Sequence, residues 1–259
     1  MTLQLLVAAL QQNPRELAAT MNIASDAIIV NQDDFFAYEK FAIGTAQIEA
    51  YTFAERGVGL SRNNALLRAK ADIVLFSDED IALDKDYAET IRAEFAAHPK
   101  ADVILFNVAV DERRRTYWNK TYKRVRWYNY GRYPAYSIAA RRARLHEMGV
   151  TFSLLFGGGA RYGAGEDNLF LHDCLKKGLR IFASPGAIGQ ETYRESTWFK
   201  GYNEKYFYDC GVLYRYLYGT MAGACALRFL LAKKGTMCQE IGFWQAFRLM
   251  KKGIKTGAK

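Results

Sequence analysis

The 259-residue chain is poor in the groups that staple or metallate small proteins. It has four cysteines, Cys174, Cys210, Cys225 and Cys238, with no Cys-x-x-Cys spacing, and no histidine cluster accompanies them. A zinc site is therefore not expected, and the cysteines read as free thiols of a reducing compartment. No segment offers about 18 uninterrupted apolar residues, so no spanning helix is expected. The nearest candidate, residues 211–232, contains Arg215 and Arg228. The opening "MTLQLLVAALQQNPREL" has a short apolar run with no basic residue before it, so it reads as a first strand and not a signal peptide. No low-complexity tract occurs, which argues against disorder. The glycines at 157–159 are not flanked by strand and helix at the spacing of a dinucleotide fingerprint.

What is present suits one large α/β domain, or one domain and a tail: half the residues are hydrophobic and 14% are aromatic. The net charge of +9 favours an anionic partner, whether phosphates, nucleic acid or an acidic membrane surface.

Leu3 to Leu10 reads as a buried strand, and Asn13 caps a helix with Pro14 at its first position. The run Ala27 to Val30 repeats the plan, and "AQIEAYTFAERG" alternates as a third strand. "GLSRNNALLRAKA" predicts a helix capped by Ser61 with Leu66, Leu67 and Ala69 inward. "DIVLFSDED" is a continuous apolar strand of the kind covered on both faces. An amphipathic helix stopped near Pro99 and the strand "DVILFNVAV" follow. Such alternation predicts βαβ units in a mainly parallel sheet, whose ligands bind at the carboxyl ends of the strands. Residues 111–132 are basic and aromatic, and read as an exposed excursion beside the site; nucleic acid is not the expected partner. Glu166 and Asp167 open a helix ended by Gly178, "LRIFAS" is a further strand, and the rest is helical with a basic end.

The informative feature is the end of the apolar strand at Asp78-Glu79-Asp80. Acidic turns are common, but two carboxylates one residue apart at a strand end can face one hard cation, Mg²⁺ or Mn²⁺, which would bridge a diphosphate. A second acidic pair, Glu166-Asp167, follows a glycine-rich loop.

In this order, "RGVGLSRNNAL", "VLFSDED" and "GAGEDNLFLHDCLKKG" resemble family-2 glycosyltransferases of the GT-A fold. More narrowly they resemble bacterial polysaccharide-assembly members, which often carry a "VNQ" strand end, here Val30 to Gln32, and a "STWFKGY" segment, here Ser196 to Tyr202. The resemblance covers roughly residues 3–208. It implies an α/β fold: a single GT-A-like, Rossmann-like domain over 1–208 with a mainly parallel central sheet. Residues 1–110 would bind the nucleotide sugar, 111–208 would hold the acceptor and the catalytic groups, and 209–259 would form a basic helical extension.

The resemblance also implies roles. Asp80 would bind Mn²⁺ or Mg²⁺, and Asp78 would share the metal or lie near the ribose or sugar. Asn31 and Gln32 would contact the base, and Arg62 and Asn63, with Arg56 nearby, would line the nucleotide pocket. Asp167 would be the catalytic base, with Glu166 orienting it or the acceptor. The expected reaction moves one sugar, with inversion, from a nucleotide-sugar donor, foremost a UDP-sugar, to a hydroxyl of a glycan or lipid-linked acceptor in cell-surface polysaccharide synthesis. The expected place is the cytoplasm, with the basic tail offering contact with an anionic membrane surface at the inner face of the bacterial membrane. Asn31 and Gln32 stand where many members have acids, His172 comes too soon after the base to complete a metal shell, and the Gln-x-x-Arg-Trp motif of processive synthases is absent.

Two other classes compete. One is a catalytically weak protein on the same fold that binds membrane surfaces or anionic polymers. The other is a nucleotidyltransferase, which would carry a glycine-rich basic loop after the first strand, where this chain has "AALQQNPREL".

Overall fold

The computed structural model describes residues 1–112, 115–192 and 201–258. The chain begins with β1 (Leu3–Leu10), α1 (Pro14–Thr20) and β2 (Asp26–Gln32). Asn13 starts α1 as expected: its side chain accepts from the N–H groups of Arg15 and Glu16. A hairpin follows, β3 (Ala37–Ile43) and β4 (Ala46–Phe53), then α2 (Val58–Arg68) and β5 (Ile73–Asp78). The short β6 (Ile81–Leu83), α3 (Tyr87–Ala97), β7 (Val103–Ala109), β8 (Lys123–Arg124), β9 (Ile138–Arg141) and α4 (Arg142–Glu147) come next. Then come α5 (Glu166–Lys176), β10 (Ile181–Glu191), α6 (Glu204–Tyr218), α7 (Ala222–Met237) and α8 (Phe243–Thr256).

The strands form one mixed sheet in the order β3-β4-β2-β1-β5-β9-β7-β10-β6, with β8 paired to β10. β4, β2, β1 and β5 run parallel, as the alternation of strand and helix predicts, and β10 runs parallel to β7. β9 is inserted antiparallel between β5 and β7. One face packs on α1 and α3 through Leu17, Ile91 and Phe95; the other packs on α2, α4 and α5 through Leu66, Leu145 and Phe170. Covering on both faces is why the central strands are unbroken apolar runs.

Local expectations for α2 need correction. The helix starts at Gly57, and Ser61 lies inside it with its N–H on Gly57 O at 3.1 Å. Gly57 is held because its own N–H donates to the Gln32 side chain at 2.6 Å, in a conformation (φ 131°) that favours glycine. Leu67 points out and is 73% exposed; the inner face is Ser61, Arg62, Ala65 and Leu66.

The C-terminal helices build their own small core around Phe207, Leu230 and Met250. α6 and α8 cross backbone to backbone: a Cβ on Gly211 would lie 2.1 Å from Met250 O, and one on Gly253 would lie 2.1 Å from Tyr208 O. The expected division after residue 208 falls inside α6. Among the described residues no helix is long and apolar enough to cross a membrane. All four cysteines are free. Most of the "STWFKGY" segment, residues 196–200, lies outside the described residues, as do residues 113 and 114 within the basic aromatic excursion.

Candidate functional site

The site forms where β5, α2 and α5 meet. β5 is buried from Ile73 to Ser77 and surfaces only at Asp78. The three acids are the turn into β6. They do not end in solvent: Glu79 Oε2 accepts the Leu10 N–H at 2.6 Å, tying the turn to the end of β1. Thr192, just past β10, donates through its N–H and hydroxyl to the Asp80 carbonyl at 2.7 and 2.9 Å.

Arg62 joins the two acidic pairs. It is 3% exposed, and its terminal nitrogens donate to Asp78 Oδ1 at 2.5 Å and Glu166 Oε1 at 2.9 Å. Its guanidinium also sits over the Phe152 ring, 5.2 Å from the centroid. Burial alone would lower the Arg62 pKa, but Asp78 and Glu166 more than offset this, so the group stays charged. Its Nε is buried with no partner among the described residues. Arginine suits this place because its planar fork serves two carboxylates at once, which a lysine ammonium cannot do with the same geometry.

Glu166 and Asp167 occupy the first turn of α5, where the helix dipole favours anions. The glycine loop presses on Glu166. Gly157 has φ +107°, and a Cβ there would lie 2.7 Å from Val58 Cγ1 and 2.9 Å from Glu166 Cδ. Asp167 is half-buried and accepts the Asn168 N–H at 2.7 Å. Burial, then Glu166, pushes its pKa well above the usual carboxylate range. A carboxylate so raised is a stronger base than one in water.

Asp80 is half-buried, and its pKa is raised to about 6, first by burial and then by Asp78 and Glu191. Glu191 arrives because β10 runs on far beyond "LRIFAS" and pairs antiparallel with β6, placing Glu191 opposite Ile81. That pairing needs Gly189, where a Cβ would lie 2.5 Å from Ala82 O. Nothing in the linear pattern marks Glu191 as a neighbour of Asp80. Tyr136 is a second unforeseen neighbour: its phenol pKa is raised by burial, then by Tyr117, Glu191, Asp78 and Asp80.

The remaining candidates are placed as follows. Asn31 is buried, and its amide exchanges hydrogen bonds with the Gln12 backbone at 3.0 and 3.1 Å. Gln32 is also buried and bridges Gly57 N–H and Ala9 O. Both amides therefore brace the loops at the strand ends. Asn63 pairs with the Phe152 backbone in both directions, at 2.9 and 2.8 Å, fixing the chain that leads to the glycine loop. Arg56 lies at the rim, bonded to Asp33 O and Asp34 Oδ1. His172 packs beside the Tyr130 ring, 6.0 Å between centroids, and its pKa is lowered by burial and then by Lys176.

Among the described residues no group of three or more His, Cys, Asp or Glu is arranged to hold a metal ion. What is present is an oxygen pair. Asp80 carries a charge made costly by burial and like neighbours, while Arg62 neutralises Asp78. Such a donor set fits Mg²⁺ or Mn²⁺ of the kind that takes one or two carboxylates and completes its shell with substrate phosphates and water.

Residues 37–154 match the family model described as glycosyl transferase family 2. That span includes Arg62, Asp78 and Asp80 but stops short of Glu166 and Asp167. Several solved structures share the fold. Staphylococcus aureus TarS 1–349 in complex with UDP-GlcNAc superposes with TM-score 0.62 at 17% identity, over 93% of this chain and 74% of that one. TarS 1–349 without a named ligand gives 0.60 at 16% identity, over 99% and 83%. The complex with UDP gives 0.59 at 17% identity, over 93% and 74%. No curated protein matches the chain in sequence. The family-model match takes in the first two of the ordered motifs, and the solved structures share the fold, which is GT-A-like with a helical C-terminal region.

Proposed function

We propose that the chain is a glycosyltransferase that moves one sugar from a nucleotide-sugar donor, foremost a UDP-sugar, to a hydroxyl of a glycan or lipid-linked acceptor in cell-surface polysaccharide synthesis. The observation that carries this is the buried Arg62, which ties the acidic strand end, through Asp78, to the start of α5, through Glu166. The donor preference is supported by the UDP-GlcNAc and UDP complexes of the structural neighbours.

In this reading the donor lies across the carboxyl ends of β2 and β5, the usual ligand position in open α/β sheets. Asp80 and Asp78 would hold Mn²⁺ or Mg²⁺, and the cation, when bound, would neutralise charge growing on the leaving diphosphate. Arg62 keeps Asp78 and Glu166 in place. Asp167 takes the proton from the acceptor hydroxyl as it attacks the anomeric carbon. The bond to the diphosphate breaks on the opposite face, so the product is inverted and no covalent sugar intermediate forms. The glycine loop packs against Glu166, the neighbour of the base.

The test is donor turnover by the purified chain with Mn²⁺ or Mg²⁺ and a panel of nucleotide sugars. Hydrolysis or transfer that EDTA abolishes supports the reading; absence of nucleotide diphosphate binding with either cation present refutes it.

A second reading, a weakly catalytic protein that binds an anionic surface, is favoured by the exposed Trp127, Tyr128 and Trp244 among basic residues. α8 buries Ala246, Met250 and Gly253, so that face is not free, and the exposed Trp244 and the lysines of α8 would make the membrane contact. Flotation with anionic vesicles and no donor turnover would favour it; no vesicle binding would end both it and the peripheral location.

A further inference from the structure

A cavity of about 680 Å³ lies between the glycine loop and α6, outside the cluster described above. Its size is that of a small-molecule site, commonly about 300–1,000 Å³. One face of α6 forms its long wall through two i, i+4 stripes. The first reads Lys205, Asp209, Leu213, Leu217, and the second Tyr206, Cys210, Tyr214, Tyr218. The wall changes character along its length. Charge is confined to the first turns, and beyond Asp209 the lining along this wall is Cys210, leucine, tyrosine and Phe229. From Lys205 to Tyr218 the helix rises about 20 Å, at about 1.5 Å per residue.

The polar end is built. Asp209 is 9% exposed, and its Oδ2 accepts the Gly163 N–H at 3.0 Å and Lys205 Nζ at 2.5 Å. Its Oδ1 has no protein partner among the described residues. A carboxylate oxygen in such a place can accept from a ligand hydroxyl. The opposite wall reaches the chemistry. Gly165, which precedes Glu166, and Asn168, which follows Asp167, both line the cavity. Leu213 packs so tightly on Gly165 that a Cβ there would lie 2.5 Å from it. The loop is therefore a partition, with Gly157 against Glu166 on one side and Gly159 and Gly163 facing the cavity on the other.

We propose that this cavity binds an amphiphilic acceptor, with a hydroxylated sugar ring between Asp209 and Asn168 and an apolar chain along Leu217 and Phe229. The assignment as acceptor rests on the glycosyl-transfer reading; the binding does not. Tyrosine faces suit the C–H surfaces of a sugar at the ring end and an aliphatic chain farther along.

The experiment is calorimetric titration of the full chain, without donor, by n-octyl β-D-glucoside below its micelle concentration, methyl β-D-glucoside and 1-octanol. The expected result is octyl glucoside binding at least about tenfold tighter than either half, since ring and chain both contribute. Leu217→Gln should weaken octyl glucoside about tenfold and leave methyl glucoside unchanged, and Asp209→Asn should weaken both glucosides and leave octanol unchanged. Equal binding of octanol and octyl glucoside, or no effect of Leu217→Gln in a variant with unchanged circular dichroism, overturns the proposal. So does the absence of octyl glucoside binding. A UDP-sugar thermal shift on the same sample separates the two readings. Donor binding without glucoside binding removes only the amphiphile site. Glucoside binding without donor binding removes only the transferase.

Discussion

Arg62 and Glu166 meet at 2.9 Å although 104 positions separate them in the chain. The same guanidinium holds Asp78, so α2 is the tie between the strand-end acids and the carboxylates of α5. A buried arginine between two carboxylates is costly to break, because removal leaves the partners uncompensated.

Arg62→Met should therefore destabilise the fold by about 2–4 kcal/mol, the lower end reflecting the partial exposure of Asp78. Arg62→Lys should recover part of the stability but little activity, because one ammonium cannot hold both carboxylates in the same geometry. Urea unfolding and donor turnover measure the two effects. A stable, fully active Arg62→Met would show the cluster to be dispensable.

Asp80→Asn should abolish cation-assisted donor binding while the fold survives. The pH dependence has a definite sign. The folded pKa of about 6 lies above the ordinary 3.8, so the native state holds the proton more tightly than the unfolded state. Stability is then lost as pH rises from about 4 to about 6, and the cost is fully present above that window. Asn should raise stability at pH 7–8 by roughly 1–2 kcal/mol after allowance for solvent screening, and the gain should vanish below about pH 4. Denaturant midpoints across this range decide the matter, and equal midpoints at pH 8 would contradict the assigned environment.

Asp167→Asn should leave donor affinity intact and lower transfer by about 10²–10⁴-fold, the range of a lost general base. In the wild type the rate should rise with pH through the elevated Asp167 pKa and then level, since only the ionised form accepts a proton. Single-turnover assays over pH 5–9 report this. Loss of donor binding in the variant would remove Asp167 from the role of base.

Gly157→Ala should cost about 1–3 kcal/mol, since φ +107° disfavours a side chain and the new methyl would meet Val58 and Glu166. The displaced Glu166 should lower kcat more than it changes the donor Kd. An unchanged kcat would mean that the glycine loop does not position the helix start.

Much of this arrangement is legible in the chain because buried parallel strands are written as continuous apolar runs. Leu3–Leu10, the Asn13 cap, the strand ending at Asp78 and the helix opening at Glu166 all follow from local pattern. β3 does not, because as an edge strand it buries only Phe41 and so has no apolar run. β9 is short and is defined by its place between β5 and β7, and β6 is three residues that exist because β10 reaches them. The acidic motifs are visible as residue types, but their junction through Arg62 is a tertiary fact, and Glu191 enters only through that strand pairing. Ser61 does not cap α2, because the Gln32 side chain at the end of β2 holds Gly57 at the helix start. Asn31, Gln32 and Asn63 were recognisable as special, yet their amides are bonded to backbone, a use that no spacing reveals.

The most direct measurement is a thermal shift of the wild type and Asp80→Asn with UDP-GlcNAc, in Mn²⁺ and in EDTA. Ligand that binds only the native state raises the apparent melting temperature by mass action. The account predicts a shift for the wild type in Mn²⁺ that EDTA removes and Asp80→Asn lacks. A shift that is equal in EDTA, or equal in the variant, would contradict the assignment of the strand-end acids to a cation shared with the donor.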